Sequence, residues 1–129
     1  MFFIHVNDTV APYTDWMFEL LKLWETRPKD TLGCFVDQRV GVIRTGKGPA
    51  TIVGTVEIAE KLWCNKAEFE ALRPWHRVPK GSKHDIGESG GKWCYRLKNA
   101  RKLDKPIVIG SKGYTGNRTY RIVDLEEGM

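Results

Sequence analysis

The chain holds only three cysteines, Cys34, Cys64 and Cys94, an odd number with no two of them close together. No disulfide framework and no chelating cysteine spacing can be built from them, which fits a reducing, cytoplasmic setting. Histidine is as scarce, with His5, His76 and His84 alone. No metal site and no cofactor is therefore expected. The apolar runs are short, and none approaches the roughly 20 residues that a membrane-spanning helix needs. No membrane partner is expected. The opening Met-Phe-Phe-Ile-His-Val is apolar but lacks the basic flank of a signal peptide. Glycine occurs without a phosphate-binding pattern. Gly46-Lys47-Gly48-Pro49 fits neither the Walker loop nor the dinucleotide fingerprint and reads as a turn. Nucleophile-elbow and Ser-His-Asp signals are missing too. With no repeat, low-complexity tract or linker to divide it, the sequence reads as a single domain over residues 1–129.

What is present is an ordinary core and a basic surface. The hydrophobic fraction of 41% is enough to build an interior. Lysine and arginine total 21 against 16 acidic residues, for a net charge of +5. That balance favours an anionic partner, and nucleic acid is the commonest one. Nothing in the residues fixes an oligomeric state.

Phe2 to Val6 reads as a first strand, closed by Asn7-Asp8 and Pro12. Helical spacing of Trp16, Met17, Leu20, Leu21 and Leu23 or Trp24 predicts a helix over Tyr13 to Leu23, capped by Thr14 or Asp15. Pro28 to Gly33 is a loop and Arg39 to Arg44 a strand. Thr51 to Ile58 is the cleanest strand, β-branched and alternating, and Gly54 within it marks a bulge or a close approach of backbone. Lys66 to Leu72 reads as a short helix with Phe69 and Leu72 inward. Arg73 to Lys92 carries four glycines, two prolines and five basic residues. A loop of that length in a compact domain is flexible or functional. Trp93 to Arg101 returns to strand alternation, Pro106 to Ile109 is a short edge strand, Gly110 to Asn117 a second flexible loop and Thr119 to Val123 the last strand. About six short strands with one main and one short helix make an α+β domain.

The stretch Lys22-Leu23-Trp24-Glu25-Thr26-Arg27 draws the chemistry together. Glu25 and Arg27 are two apart, which puts both on one face of a strand. Lys22 falls at the last turn of the predicted helix, where a cation suits the helix dipole. All three then converge on one cleft, with two cations lowering the pKa of Glu25.

The order Lys-x-x-Glu-x-Arg after an amphipathic helix resembles the signature of the ASCH family, a branch of the PUA-like superfamily. In that pattern a glycine usually stands two residues before the lysine; here the position is Leu20. The resemblance continues through Gln38-Arg39-Val40-Gly41-Val42 and Ile52 to Ile58, and through Tyr95 to Leu103 into Lys105-Pro106-Ile107. It implies a PUA-like pseudo-β-barrel and a link to RNA. Some small ASCH-type proteins share an amidohydrolase activity on acetylated cytidine that uses a lysine and a threonine three residues later. Here Lys22 matches the lysine, whereas the later position is Glu25. Other ASCH proteins are associated with RNA cleavage.

The reading is a module that binds RNA or a modified nucleotide through a Lys22, Glu25 and Arg27 cleft, bordered by Trp75 of the basic loop and by Lys112 and Tyr114 of the Gly110–Asn117 loop. Aromatic rings beside cations stack bases while the cations hold phosphates. The alternative is a hydrolase on RNA or a modified nucleoside with Lys22 and Glu25 catalytic, and a protein-interaction domain stays open. Trp16, Trp24 and Trp63 read as core. Cys64 and Cys94, beside tryptophans, read as buried, and His84-Asp85 as a surface loop pair.

Overall fold

The computed structural model describes residues 1–110 and, beyond them, the two-residue strand Tyr120–Arg121. The elements run β1 (Phe2–Asn7), α1 (Tyr13–Phe18), β2 (Trp24–Arg27), a 3₁₀ turn (Gly33–Phe35), β3 (Gln38–Thr45), β4 (Ala50–Cys64), α2 (Lys66–Ala71), α3 (Arg73–His76), β5 (Lys92–Gly110) and β6 (Tyr120–Arg121). Gly110 closes β5 rather than opening a loop, and the rest of the expected Gly110–Asn117 loop, the remainder of the expected last strand and the Leu125–Met129 tail lie outside the described residues.

The α+β class stands, with three corrections of detail. All strands belong to one sheet of order β2-β5-β4-β3-β1-β6. It is mixed: β1 runs parallel to β3, and the other ladders are antiparallel. The sheet is not closed into a barrel, because β2 ends it on one side and β1 with β6 on the other. A side chain crosses the gap instead: Nη2 of Arg27 in β2 donates to the carbonyl of His5 in β1 at 2.6 Å. The strands are also not uniformly short. β4 spans 15 residues and β5 spans 19, so Pro106–Ile109 is the end of an inner strand rather than a separate edge. Finally, the helices are three short ones, of six, six and four residues.

α1 stops five residues before its predicted end. Leu20 adopts a left-handed φ of 61°, Leu20 N–H bonds to Met17 O at 3.3 Å and Leu21 N–H to Trp16 O at 2.8 Å. These two bonds make a Schellman C-cap, a turn that normally selects glycine at the left-handed position. Lys22 is therefore not in a helical turn. It sits in a connector held on both sides: Leu23 N–H donates to Trp75 O at 2.7 Å, and Leu23 O accepts from Leu97 N–H at 2.8 Å.

Two apolar clusters position the site. The main one gathers Ile4, Val6, Tyr13, Met17, Leu32, Phe35, Val40, Val42, Val56, Ile58, Tyr95 and Leu97, with Trp16 packed against it. The other joins Cys64, Cys94, Phe69, Val78 and Ile86, with Trp24 and Leu72 partly buried on it. Gly54 marks a bulge where β4 meets β5; a Cβ there would lie 2.4 Å from Arg101 O and 2.5 Å from the Phe18 ring. α2 starts from a capping box in which Asn65 and Glu68 each satisfy the other's backbone amide. Trp63 is not core: it is 47% exposed, because β4 runs on six residues past Ile58 as a ribbon with β5, where the ring packs edge-on against its cross-strand neighbour Trp93, at 5.4 Å, and over Gly91.

Candidate functional site

β2 sets the two faces. It pairs with β5 so that Glu25 faces Tyr95 and Arg27 faces Trp93, while Trp24 and Thr26 alternate to the other side. Trp24 thus packs on the cysteine-containing cluster, and Glu25 and Arg27 point together into a cleft of about 270 Å³. Its walls come from His5, Val6 and Asn7 of β1, Thr45 of β3, Tyr13 of α1, the Lys22–Pro28 stretch, and Val78, Lys83, His84 and Lys92.

Charge at the floor is dense and nearly dry. Lys22, Glu25, Arg27 and Lys92 are between 1% and 7% exposed. Glu25 Oε2 accepts from Arg27 Nη2 at 3.0 Å, its Oε1 accepts from Thr26 N–H at 3.2 Å, and Lys22 Nζ stands 3.5 Å from Oε1. Lys22 also donates to His76 O at 2.6 Å and lies 4.7 Å from the Tyr13 ring centroid. Burial acts to raise the Glu25 pKa, but Arg27 and Lys22 outweigh it and hold the carboxyl below its usual range. Burial lowers the pKa of Lys22, with Glu25 opposing. The expected convergence of these three side chains is thus the geometry observed, by way of a connector rather than a helix end.

Lys92 is the member the sequence reading passed over. Its ammonium donates to His84 O, lies 5.9 Å from the Phe69 ring centroid and makes no ion pair among the described residues. Three cations thus surround one carboxylate, leaving the floor with excess positive charge in a poorly solvated place. Burial pushes the Lys92 pKa down, with Glu25 pulling the other way.

Tyr13 and His84 were missed as well. The Tyr13 hydroxyl and His84 Nδ1 are 3.2 Å apart across 71 residues of sequence. Desolvation, Lys83 and Lys92 lower the His84 pKa, so its ring is neutral at physiological pH. Asp85, the expected neighbour of that histidine, turns elsewhere: it accepts from Gly81 N–H at 2.7 Å and from Arg73 Nη2 at 3.0 Å. Local patterning held no signal for Tyr13 or His84. For Lys92 there was one, a lysine in phase with the buried Cys94 of the same strand.

The stretch from Arg73 to Lys92 borders the cleft, and it opens with α3 rather than a loop. Trp75 is not in the cleft wall; it is half exposed, and its backbone carbonyl anchors Leu23. Lys112 and Tyr114 lie outside the described residues. Among the described residues no three His, Cys, Asp or Glu side chains gather as metal ligands would, and no helix is long and apolar enough to cross a membrane.

Neither a family model nor a curated protein matches the sequence. Solved structures do. The ASCH protein of Zymomonas mobilis superposes with a TM-score of 0.69 at 10% identity, over 83% of this chain and 73% of that one. A single-residue mutant of the same protein gives a TM-score of 0.58 at 14% identity, over 82% and 73%. Identities this low establish a likeness of architecture, and the chain has the fold of an ASCH domain.

Proposed function

We propose that this is an ASCH-type nucleic-acid-binding module whose cleft takes a phosphate-bearing unit of RNA or a modified nucleotide. The observation that carries the reading is the charge count at the floor. Lys22, Arg27 and Lys92 outnumber Glu25, and Lys92 has no acidic partner among the described residues. An anion supplied by the ligand would offset that excess, and three charge-assisted donors suit a phosphate. The ionised Glu25 would serve as acceptor for a base amino group. The overall net charge of +5 works in the same direction, by steering an anionic chain toward the protein. Free, buried Cys64 and Cys94 suit a reducing cytoplasm.

The test is anisotropy of a labelled oligoribonucleotide with wild type and Lys92→Met. Methionine keeps the bulk of the stem and removes an unpaired buried charge, so the fold should hold. Affinity should fall about tenfold, the worth of one charge-assisted contact. An unchanged affinity would remove the cleft from the reading.

A hydrolase reading is favoured by one observation, the neutral His84 beside Tyr13 in the same cleft. A neutral imidazole can accept a proton at neutral pH. Incubation with RNA and with acetylated cytidine, wild type against Glu25→Gln and His84→Ala, separates the classes. Turnover that both substitutions abolish makes the protein an enzyme, and no turnover on either substrate leaves a binding module.

A further inference from the structure

A second concavity lies beside the cleft and shares the Val78 wall with it. This groove, of about 440 Å³, is lined by Trp16, Arg73, Pro74, Arg77, Val78, Pro79 and Lys80. Its chemistry differs from that of the cleft floor. The Arg77 guanidinium carbon sits 4.7 Å from the centroid of the Trp16 ring, a cation held over an aromatic face. Arg73 is already committed, to Glu70 and Asp85. Arg77 and Lys80, by contrast, make no ion pair among the described residues, and neither does Lys83, which lies on the same segment and lines the cleft. The 77–83 segment therefore carries three unpaired cations at three-residue intervals from the groove to the cleft mouth.

Size decides what such a track is for. At about 270 Å³ the cleft is at the low end of small-molecule sites and has room for one compact group. A free nucleotide would be satisfied there and would leave the groove unused. A polynucleotide chain would not, since the next residue must leave the cleft along one of its walls. We infer that the Trp16–Arg77 groove is a second subsite, which takes the nucleotide flanking the one in the cleft, so that the ligand is a single-stranded polynucleotide. Arg77 would stack a base on the guanidinium face turned away from Trp16, with Lys80 and Lys83 on the phosphates to either side. This rests on the cleft reading and adds to it a requirement for chain length.

Arg77 also offers a clean variant. Its backbone is left-handed, with φ of 59°, so Arg77→Gly removes the side chain while easing the backbone, and Arg77→Ala serves as its companion. The probes are the four ribonucleoside 5′-monophosphates, a mixed-sequence hexaribonucleotide and its deoxy counterpart, measured by calorimetry and anisotropy at two salt concentrations. Wild type should bind the hexamer at least about tenfold more tightly than any monophosphate, the scale of one added stacking contact. Both Arg77 variants should lose that advantage with monophosphate affinity unchanged, and their salt slope should stay that of wild type, because the phosphate contacts fall to Lys80 and Lys83. A preference for the ribo or the deoxy hexamer assigns the sugar. Monophosphate binding that needs Lys92, with no gain for either hexamer or no effect of Arg77, overturns the groove and leaves the cleft. Binding of neither monophosphate nor hexamer by wild type overturns both.

Discussion

At the scale of single residues, Leu20 and Glu25 are the most informative. Leu20 occupies the left-handed position of the α1 cap with its side chain 64% exposed. A left-handed conformation costs a side-chain-bearing residue about 1 kcal/mol or more, and an exposed leucine recovers little of it by burial. Leu20→Gly should therefore raise stability by about 1 kcal/mol, read as a later midpoint in urea; an earlier midpoint would mean that the leucine packs better than its exposure implies. The ASCH pattern has glycine at this same position, and the backbone supplies a physical reason for it. Glu25 is the opposite case, a residue whose loss leaves damage behind. Glu25→Gln strands Lys22 and Arg27 at a buried floor and should cost about 3 kcal/mol. Its folded pKa is depressed, so the ionised carboxyl contributes stability above the unfolded value of 4.5, and that contribution is lost as pH falls through the lower folded value. The wild-type protein should lose stability below about pH 4.5 by a step that Glu25→Gln lacks. Parallel acid profiles for the two would refute the assignment.

At the scale of elements, His76 couples the outer helices to the cleft. It is fully buried at the end of α3. Its Nδ1 accepts from Val78 N–H at 2.9 Å, and its Nε2 lies 2.9 Å from Phe69 O, so that Nε2 carries the proton. Its own carbonyl receives Lys22. Burial holds its pKa down to about 4, with the Phe69 carbonyl opposing. Between the unfolded value of 6.5 and about 4 the unfolded chain binds a proton that the folded chain does not. Stability should therefore fall as pH drops from 6.5, at up to about 1.4 kcal/mol per pH unit for this group. The lowered pKa of His84 adds in the same direction. Urea midpoints at pH 7 and pH 5 read the sum, and the His76 ring resonances, titrating near 4, would assign its share. A midpoint that does not move across that interval would show that the ring is not held neutral. The elements were legible in the sequence to different degrees. β1, β3 and α2 fell within a residue or two of their predicted limits, because alternation and capping are local properties. β4 and β5 ran far past theirs, because the ribbon between them is held by cross-strand pairing that no local pattern reports.

At the scale of the whole molecule, the open sheet and the positive charge belong to one argument. β2 at one end of the sheet and β1 toward the other approach closely enough for Arg27 to reach His5, and the cleft occupies the space between them. A groove with poorly hydrated walls focuses the field of its own cations. Binding of an oligoribonucleotide should therefore weaken steadily as salt rises, with a log–log slope of about two if three phosphates are met, at about 0.7 each. Titrations at four ionic strengths would measure it. A flat profile would leave the net charge of +5 a matter of solubility alone.

The sequence by itself determined that the chain is of the α+β class, that Glu25 and Arg27 share a strand face, and that Cys64 and Cys94 are buried. Each follows from periodicity or from neighbours within a few residues. Only the tertiary structure decided that α1 stops at Phe18, that the sheet stays open, and that Tyr13, His84 and Lys92 complete the cleft. Tyr13 and His84 meet across 71 positions. Lys22 reaches the floor because Leu23 is clamped between Trp75 and Leu97. Local pattern reports which side of an element is dry, whereas the meeting of two elements depends on closing the chain between them, and that is settled by packing of the whole.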